Sequence, residues 1–185
     1  MSRCVWLVLL LVMATGVVHA ADWQMDAKSS RLEFSATFEK TAAPGVFREF
    51  DARVHFDPNV IAEGRLDVAI AVKSADMSSS DVNKAIAGAD WFDFARFPQA
   101  EFHAAEFRRT AANHYVARGM LNLKGVARAI EVPFTWTESG DTARMEGEFT
   151  VKRAAFGIGT GEWASTGVIG ADVKVRFNVR LAKRG

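Results

Sequence analysis

The sequence predicts a mainly β protein, one domain of about eight antiparallel strands with a single short helix between the third and fourth. Three observations carry this reading. Apolar and polar residues alternate with period two through a series of separate runs. Short turn signals join these runs, and short connections favour antiparallel neighbours. One segment only carries helical start and stop signals.

In chain order, Leu32, Phe34, Ala36 and Phe38 alternate with Glu33, Ser35, Thr37 and Glu39. Phe50, Ala52, Val54 and Phe56 make the second apolar face, and Leu66, Val68, Ile70 and Val72 the third. Asp57-Pro58-Asn59 separates those two as a turn. The helix follows: Ser80 is expected to cap it, Val82, Ala85 and Ile86 share a face, and Gly88 is expected to close it in the left-handed conformation. Residues 102–109 read as a strand with weaker alternation. Tyr115, Ala117, Gly119, Leu121 and Leu123 form the next face, with Arg118, Asn122 and Lys124 opposite. Ile130, Val132, Phe134 and Trp136 follow, then Met145, Gly147, Phe149 and Val151. The clearest run is the last, where Val173, Val175, Phe177, Val179 and Leu181 alternate with Lys174, Arg176, Asn178 and Arg180. Strands with one buried face each either pair as a sandwich or close into a barrel. A closed sheet of that size is filled by side chains or holds one small ligand.

Residues 90–102 fit no period. Trp91, Phe92, Phe94, Phe97 and Phe102 crowd into this segment around Pro98. Each ring gains roughly 1.5–3 kcal/mol by leaving water, so the segment must dock on a large apolar surface. Its place between helix and strand makes it a candidate lid or plug over a barrel end, with Trp91, Phe92, Phe94 and Phe97 as its rings.

Residues 1–20 read as a cleaved secretory signal peptide. Arg3 supplies the basic start, Val5 to Val12 the apolar run, and Val18-His19-Ala20 the small residues before cleavage at Ala21. Residues 21–185 then form the single mature domain, and the periplasm is the expected location. Cleavage removes Cys4, the only cysteine, and takes the formal net charge from +1 to zero. Disulfides and thiol chemistry are excluded, and nothing favours nucleic acid as a partner.

The search for chemistry returns absences. His55, His103 and His114 stand at no metal-ligand spacing and read as solvent-facing, so no metal site and no catalytic residue is assigned. No serine lies in a nucleophile elbow. Residues 157–161 (Gly-Ile-Gly-Thr-Gly) lack the strand–turn–helix setting of a phosphate loop and read as a flexible connection. Asp90 and Asp93 read as turn residues bonded to local backbone. Arg153 has two readings, a guanidinium satisfying carbonyls at a strand end or a cation that meets an anionic head group at a cavity mouth.

Four motifs in order resemble the YceI-like family, also described as polyisoprenoid-binding. Asp90-Trp91-Phe92-Asp93 with Phe97-Pro98 and Phe102 is similar to the family's acidic-aromatic-Phe-Asp signature. Gly119-Met120-Leu121-Asn122-Leu123-Lys124-Gly125-Val126 resembles its glycine–leucine element, with Asn122 where threonine is usual. Arg153-Ala154-Ala155-Phe156-Gly157-Ile158 and Phe56-Asp57-Pro58 resemble two more. Two elements depart from it. Ile86-Ala87-Gly88-Ala89 stands where many members have His-Leu-Arg-Ser, and Ser29-Ser30 where many have His-Ser. The resemblance implies an extended, lipocalin-like antiparallel β-barrel whose pore holds an isoprenoid or similar amphipathic lipid, such as a polyprenyl pyrophosphate or a quinone tail. It implies no enzyme activity and no cofactor beyond that lipid. On this reading Phe34, Phe38, Phe50, Tyr115, Phe134, Trp136, Phe149 and Phe177 line the cavity and Arg153 steers a charged head. A membrane cytochrome b561-type protein and a second copy of the chain are the expected candidate partners.

Overall fold

A computed structural model describes residues 20–184; the leader expected over residues 1–20 lies outside them except for its last residue. The elements are β1 (Ala21–Met25), β2 (Arg31–Phe38), β3 (Thr41–Phe47), β4 (Phe50–Phe56), β5 (Arg65–Ala71), β6 (Ala75–Asp76), α1 (Ser80–Ile86), β7 (Gln99–Ala111), β8 (His114–Leu123), β9 (Val126–Ser139), β10 (Thr142–Lys152) and β11 (Asp172–Lys183). Barrel and sandwich are decided by β1, which pairs with β4 on one edge and with β11 on the other. The circuit β1-β4-β5-β7-β8-β9-β10-β11 therefore closes on itself, and every pairing in it is antiparallel.

The barrel splays at one end because one edge of β11 serves two partners. Leu181 to Lys183 pair with β1, while Lys174 to Asn178 pair with β2. Beyond β2 the wall continues through β3 to the two-residue β6. Helix α1 and the aromatic segment lie over the splayed half.

Three strands escaped the sequence pattern. β1 carries only two inward residues, Trp23 and Met25, too few to show a period. β3 holds Pro44 and Gly45, which argue against a strand by composition. Pro44 is tolerated because β6 pairs only with Val46 and Phe47, leaving the rest of that edge of β3 unpaired, so its missing N–H costs no ladder bond. Glu39 and Lys40 turn the chain from β2 to β3 with φ of 46° and 67°, the geometry of a tight hairpin. β6 is too short to read.

Two further differences have local causes. The weak alternation of β7 comes from register shifts between Ala104 and Glu106 and between Arg109 and Ala111, each of which moves the following side chains to the other face. Helix α1 starts one residue earlier than expected: Ser79, not Ser80, is its cap and accepts from the Val82 N–H at 3.5 Å. It ends through Ala87 at φ −72°, with no left-handed glycine.

The closed half is packed solid. Phe56, 1% exposed, touches Phe107, Tyr115, Phe134 and Trp136 with ring centroids 5.0–5.6 Å apart, mostly edge to face. Trp23 meets Trp136 at 5.4 Å and donates its indole N–H to the Phe56 carbonyl at 3.0 Å. The Tyr115 hydroxyl accepts from Arg109 at 2.9 Å, so the buried polar tips of this cluster are partnered.

Candidate ligand-binding cavity

The splayed half encloses a cavity of about 620 Å³. Its walls come from β2, β3, β5, β7, β8, β10 and β11, its cover from α1 and the aromatic segment, and its remaining side from residues 153–169. Nearly all of its lining is hydrocarbon. The polar side chains on it are those of Thr37, Ser78, Asp81 and Arg153. Ser78 and Asp81 are exposed, which places them at the opening. Phe38 (46% exposed), Val82 and Val168 surround the same opening as an apolar rim; Phe38 and Val82 continue into the wall, and Val168 adjoins the wall residue Ile169.

Of the aromatic residues expected to line a cavity, Phe34, Phe38 and Phe149 do. Tyr115, Phe134 and Trp136 are corrected: they belong to the packed cluster around Phe56. Phe177 is buried in the same core with its ring 6.4 Å from Phe149, and Phe50 is half-buried against that core, so neither is among the lining residues. The cause is common to all five. Period two tells which face of a strand points inward, but not how far along the barrel axis a residue sits; strand tilt and stagger decide that.

The aromatic segment divides as well. Trp91 and Phe92 line the cavity. Phe94 stacks on Phe92 at 6.1 Å, behind it, and the Phe97 ring lies against Gly125. Trp91 packs on Trp163 at 5.8 Å, and its indole nitrogen is buried without an acceptor among the described residues. Tethers hold the segment down. The Asp90 carbonyl accepts from the N–H groups of Gly159 (2.7 Å) and Thr160 (3.0 Å), and its carboxylate accepts from the Thr160 hydroxyl at 2.8 Å. Asp90 thus bonds far along the chain, not locally as expected. Lys124 donates to the carbonyls of Ala89 (2.8 Å) and Gly157 (2.6 Å), joining the same two segments, and burial pulls its pKa below the ordinary lysine value.

Arg153 borders the cavity but offers nothing to it. Only 2% exposed, its guanidinium donates to six backbone carbonyls: Gly170 (2.9 Å), Ile158 (3.1 Å), Gly159 (2.8 Å), Trp163 (2.8 Å), Ser165 (3.2 Å) and Ile169 (3.0 Å). A guanidinium has five N–H groups, and all are used. The head-group reading is therefore corrected to the other one: Arg153 ties the irregular stretch 157–170 together by its carbonyls. Burial lowers its pKa from the ordinary arginine value without removing its charge. The glycine-rich stretch is correspondingly no flexible connection. Gly159 adopts φ +72° and lies where any β-carbon would strike the guanidinium.

Several lining residues were not legible in the sequence. Phe47 sits on the unrecognised β3; Met77 and Ile169 lie in irregular segments and Trp163 ends a three-residue 3-10 turn, Gly161–Trp163, none of them with a period to follow.

A closed antiparallel barrel, half filled and half hollow, with an apolar rim around its opening, is the architecture of a binding protein for an apolar molecule. The chain belongs to the family described by the YceI-like domain, whose model matches residues 23–181. Burkholderia cenocepacia BcnA, known from a crystal structure, is 33% identical, with 84% of this chain and 98% of that one aligned at a TM-score of 0.82. A UPF0312 protein of Yersinia pestis (strain Pestoides F) is 25% identical over 81% of this chain and 82% of its own length. A polyisoprenoid binding domain from Saccharophagus degradans, implicated in plant cell wall breakdown, shares the fold at 17% identity and a TM-score of 0.71, covering 90% of this chain and all of that one (100%).

Proposed function

We propose that this protein is a periplasmic carrier that holds an isoprenoid chain, or a similar amphipathic lipid such as a polyprenyl pyrophosphate or a quinone, in the hollow half of its barrel. The observation that carries the proposal is the cavity, a continuous hydrocarbon-walled space of about 620 Å³ that opens between α1 and the β2–β3 hairpin. Each Å² of prenyl surface moved into it contributes about 25 cal/mol, from which the cost of immobilising the chain is subtracted. The Saccharophagus degradans domain of the same fold is named for polyisoprenoid binding, which supports the ligand class. The leader read in residues 1–20 supports the location. The polar side chains on the cavity surface bring no acid–base pair or nucleophile together, so the proposal is one of binding, without a catalytic step. A membrane cytochrome b561-type partner and a second copy of the chain are left out of it, because no feature of the cavity or its rim selects either.

Native mass spectrometry with lipid extraction, on protein purified from the periplasm of cells that make it, tests this. A stoichiometric isoprenoid lipid is the expected result. Protein that emerges empty and then rejects added prenyl lipids would overturn it.

A further inference from the structure

The hollow half has a floor. Ala100 of β7 and Val175 of β11 line the cavity, whereas Phe102 and Phe177, each two residues further along the same strand face, do not. Both rings are buried in the core, at 6% and 8% exposure. In register, Phe102 stands beside Leu121 and Phe177 beside Leu32, and both partners are wall residues. The Phe177 ring also covers Gly147 of the next strand, where a β-carbon would stand 2.7 Å from it. Each ring therefore stands one inward step past a wall residue of its own strand and beside a wall residue of the neighbouring strand, on the side where the core is packed.

The distance from floor to rim follows β2, whose inward face lines the cavity from Leu32 to Phe38. Six residue steps at ~3.3 Å make about 20 Å. An extended isoprene unit, with four main-chain carbon–carbon bonds, is roughly 5 Å long. We infer that Phe102 and Phe177 set how much of the ligand is enclosed, about four isoprene units, and that the rest of a longer chain leaves through the rim of Phe38, Val82 and Val168. This rests on the proposal that the cavity holds a long-chain lipid, and it adds which residues select the enclosed length. A unit outside the rim is back in water and adds little to affinity.

Binding of prenols with two to eight units, followed by the fluorescence of Trp91 and Trp163 in the delipidated full protein, tests it; an n-alkanol series runs in parallel. Affinity is expected to rise about tenfold or more per unit up to about four units and less than threefold per unit beyond. The alkanols are expected to level off near about sixteen carbons, the same length. Phe177→Ala is expected to move both plateaus outward by about one unit. Phe177→Val serves if the alanine variant fails to fold by circular dichroism. Affinity that keeps climbing tenfold per unit to eight units overturns the floor, as does a folded Phe177 variant whose plateau stays in place. If prenols fail to bind while alkanols level off as stated, the isoprenoid reading falls and the floor stands. If neither series binds, both fall.

Discussion

Arg153 and Gly159 are in contact by design of the backbone: a β-carbon on Gly159 would stand 2.1 Å from Nη1 of the guanidinium, and the carbonyl of the same glycine accepts from that nitrogen at 2.8 Å. The pair connects the end of β10 to the loop that walls one side of the cavity. A positive φ of 72° lets Gly159 turn its carbonyl inward while leaving room for the cation.

Arg153→Lys is expected to be destabilising rather than ligand-specific. Lysine brings three N–H donors to six carbonyls, and each buried group left unpaired costs about 1 kcal/mol or more. The expected loss is about 3 kcal/mol or more in a urea titration. Lipid affinity of the remaining folded protein is expected to stay within about threefold, since the guanidinium spends no donor on the cavity. Stability unchanged with affinity lost would restore the head-group role. Gly159→Ala is expected to cost about 2 kcal/mol or more by strain and clash together.

Phe56 and Phe149 are expected to separate stability from binding. Phe56 sits among four rings in the packed half, so Phe56→Ala is expected to cost about 3–5 kcal/mol. Phe149 is half-buried on the cavity wall, and Phe149→Ala is expected to cost under about 2 kcal/mol while weakening lipid binding roughly tenfold. Denaturant titrations beside fluorescence binding curves check both. Equal stability losses at the two positions would contradict the division of the barrel.

Asp76 clamps α1 to the wall. Its carboxylate accepts from Asn83 at 2.9 Å, the Ser78 N–H at 2.8 Å and Arg48, and these bonds, that from Asn83 first, hold its pKa at about 2. A carboxylate depressed in the folded state contributes stability above its unfolded pKa of about 3.9 and loses it as pH falls through the folded value. Melting curves of the wild type and Asp76→Asn are therefore expected to differ at pH 6 and to converge as pH drops toward 2. A constant gap across that range would show that the charge is not what holds the helix.

His103 on the outer face behaves with the opposite sign. Nδ1 lies 2.7 Å from Asp67, and that hydrogen bond, the largest influence, raises the imidazole pKa above its ordinary value. A raised pKa adds stability below the unfolded value of about 6.5, and this is lost as pH rises through the folded value. The site is exposed, so solvent screening keeps the effect small. An NMR titration is expected to place the His103 midpoint above 6.5 and to return it toward that value in Asp67→Asn. A midpoint unmoved by the substitution would remove Asp67 as the cause.

Much of the fold was legible in the chain because a strand's period of two is local. Val173 to Leu181 declare their inward face regardless of what they pair with, and they do face inward in β11. Helix α1 was visible from Val82, Ala85 and Ile86, although its cap was off by one residue because two serines adjoin. Members of the site were visible where they lay on long strands or in the aromatic signature, as Phe34, Phe149, Trp91 and Phe92 do. Trp163 and Ile169 were not, since a single 3-10 turn and irregular chain carry no period, and the carbonyls of both are held by Arg153, far from them in the sequence.

An antiparallel β protein, the inward face of most strands and membership of a family could all be read from the chain, since alternation and motifs are properties of neighbouring residues. Tertiary structure alone decided that β1 closes the barrel on β11, that Tyr115, Phe134 and Trp136 fill one half while Phe34 and Phe149 border a void in the other, and that Arg153 spends its donors on backbone. These depend on tilt, stagger and contacts between residues far apart in the chain, which no local pattern encodes.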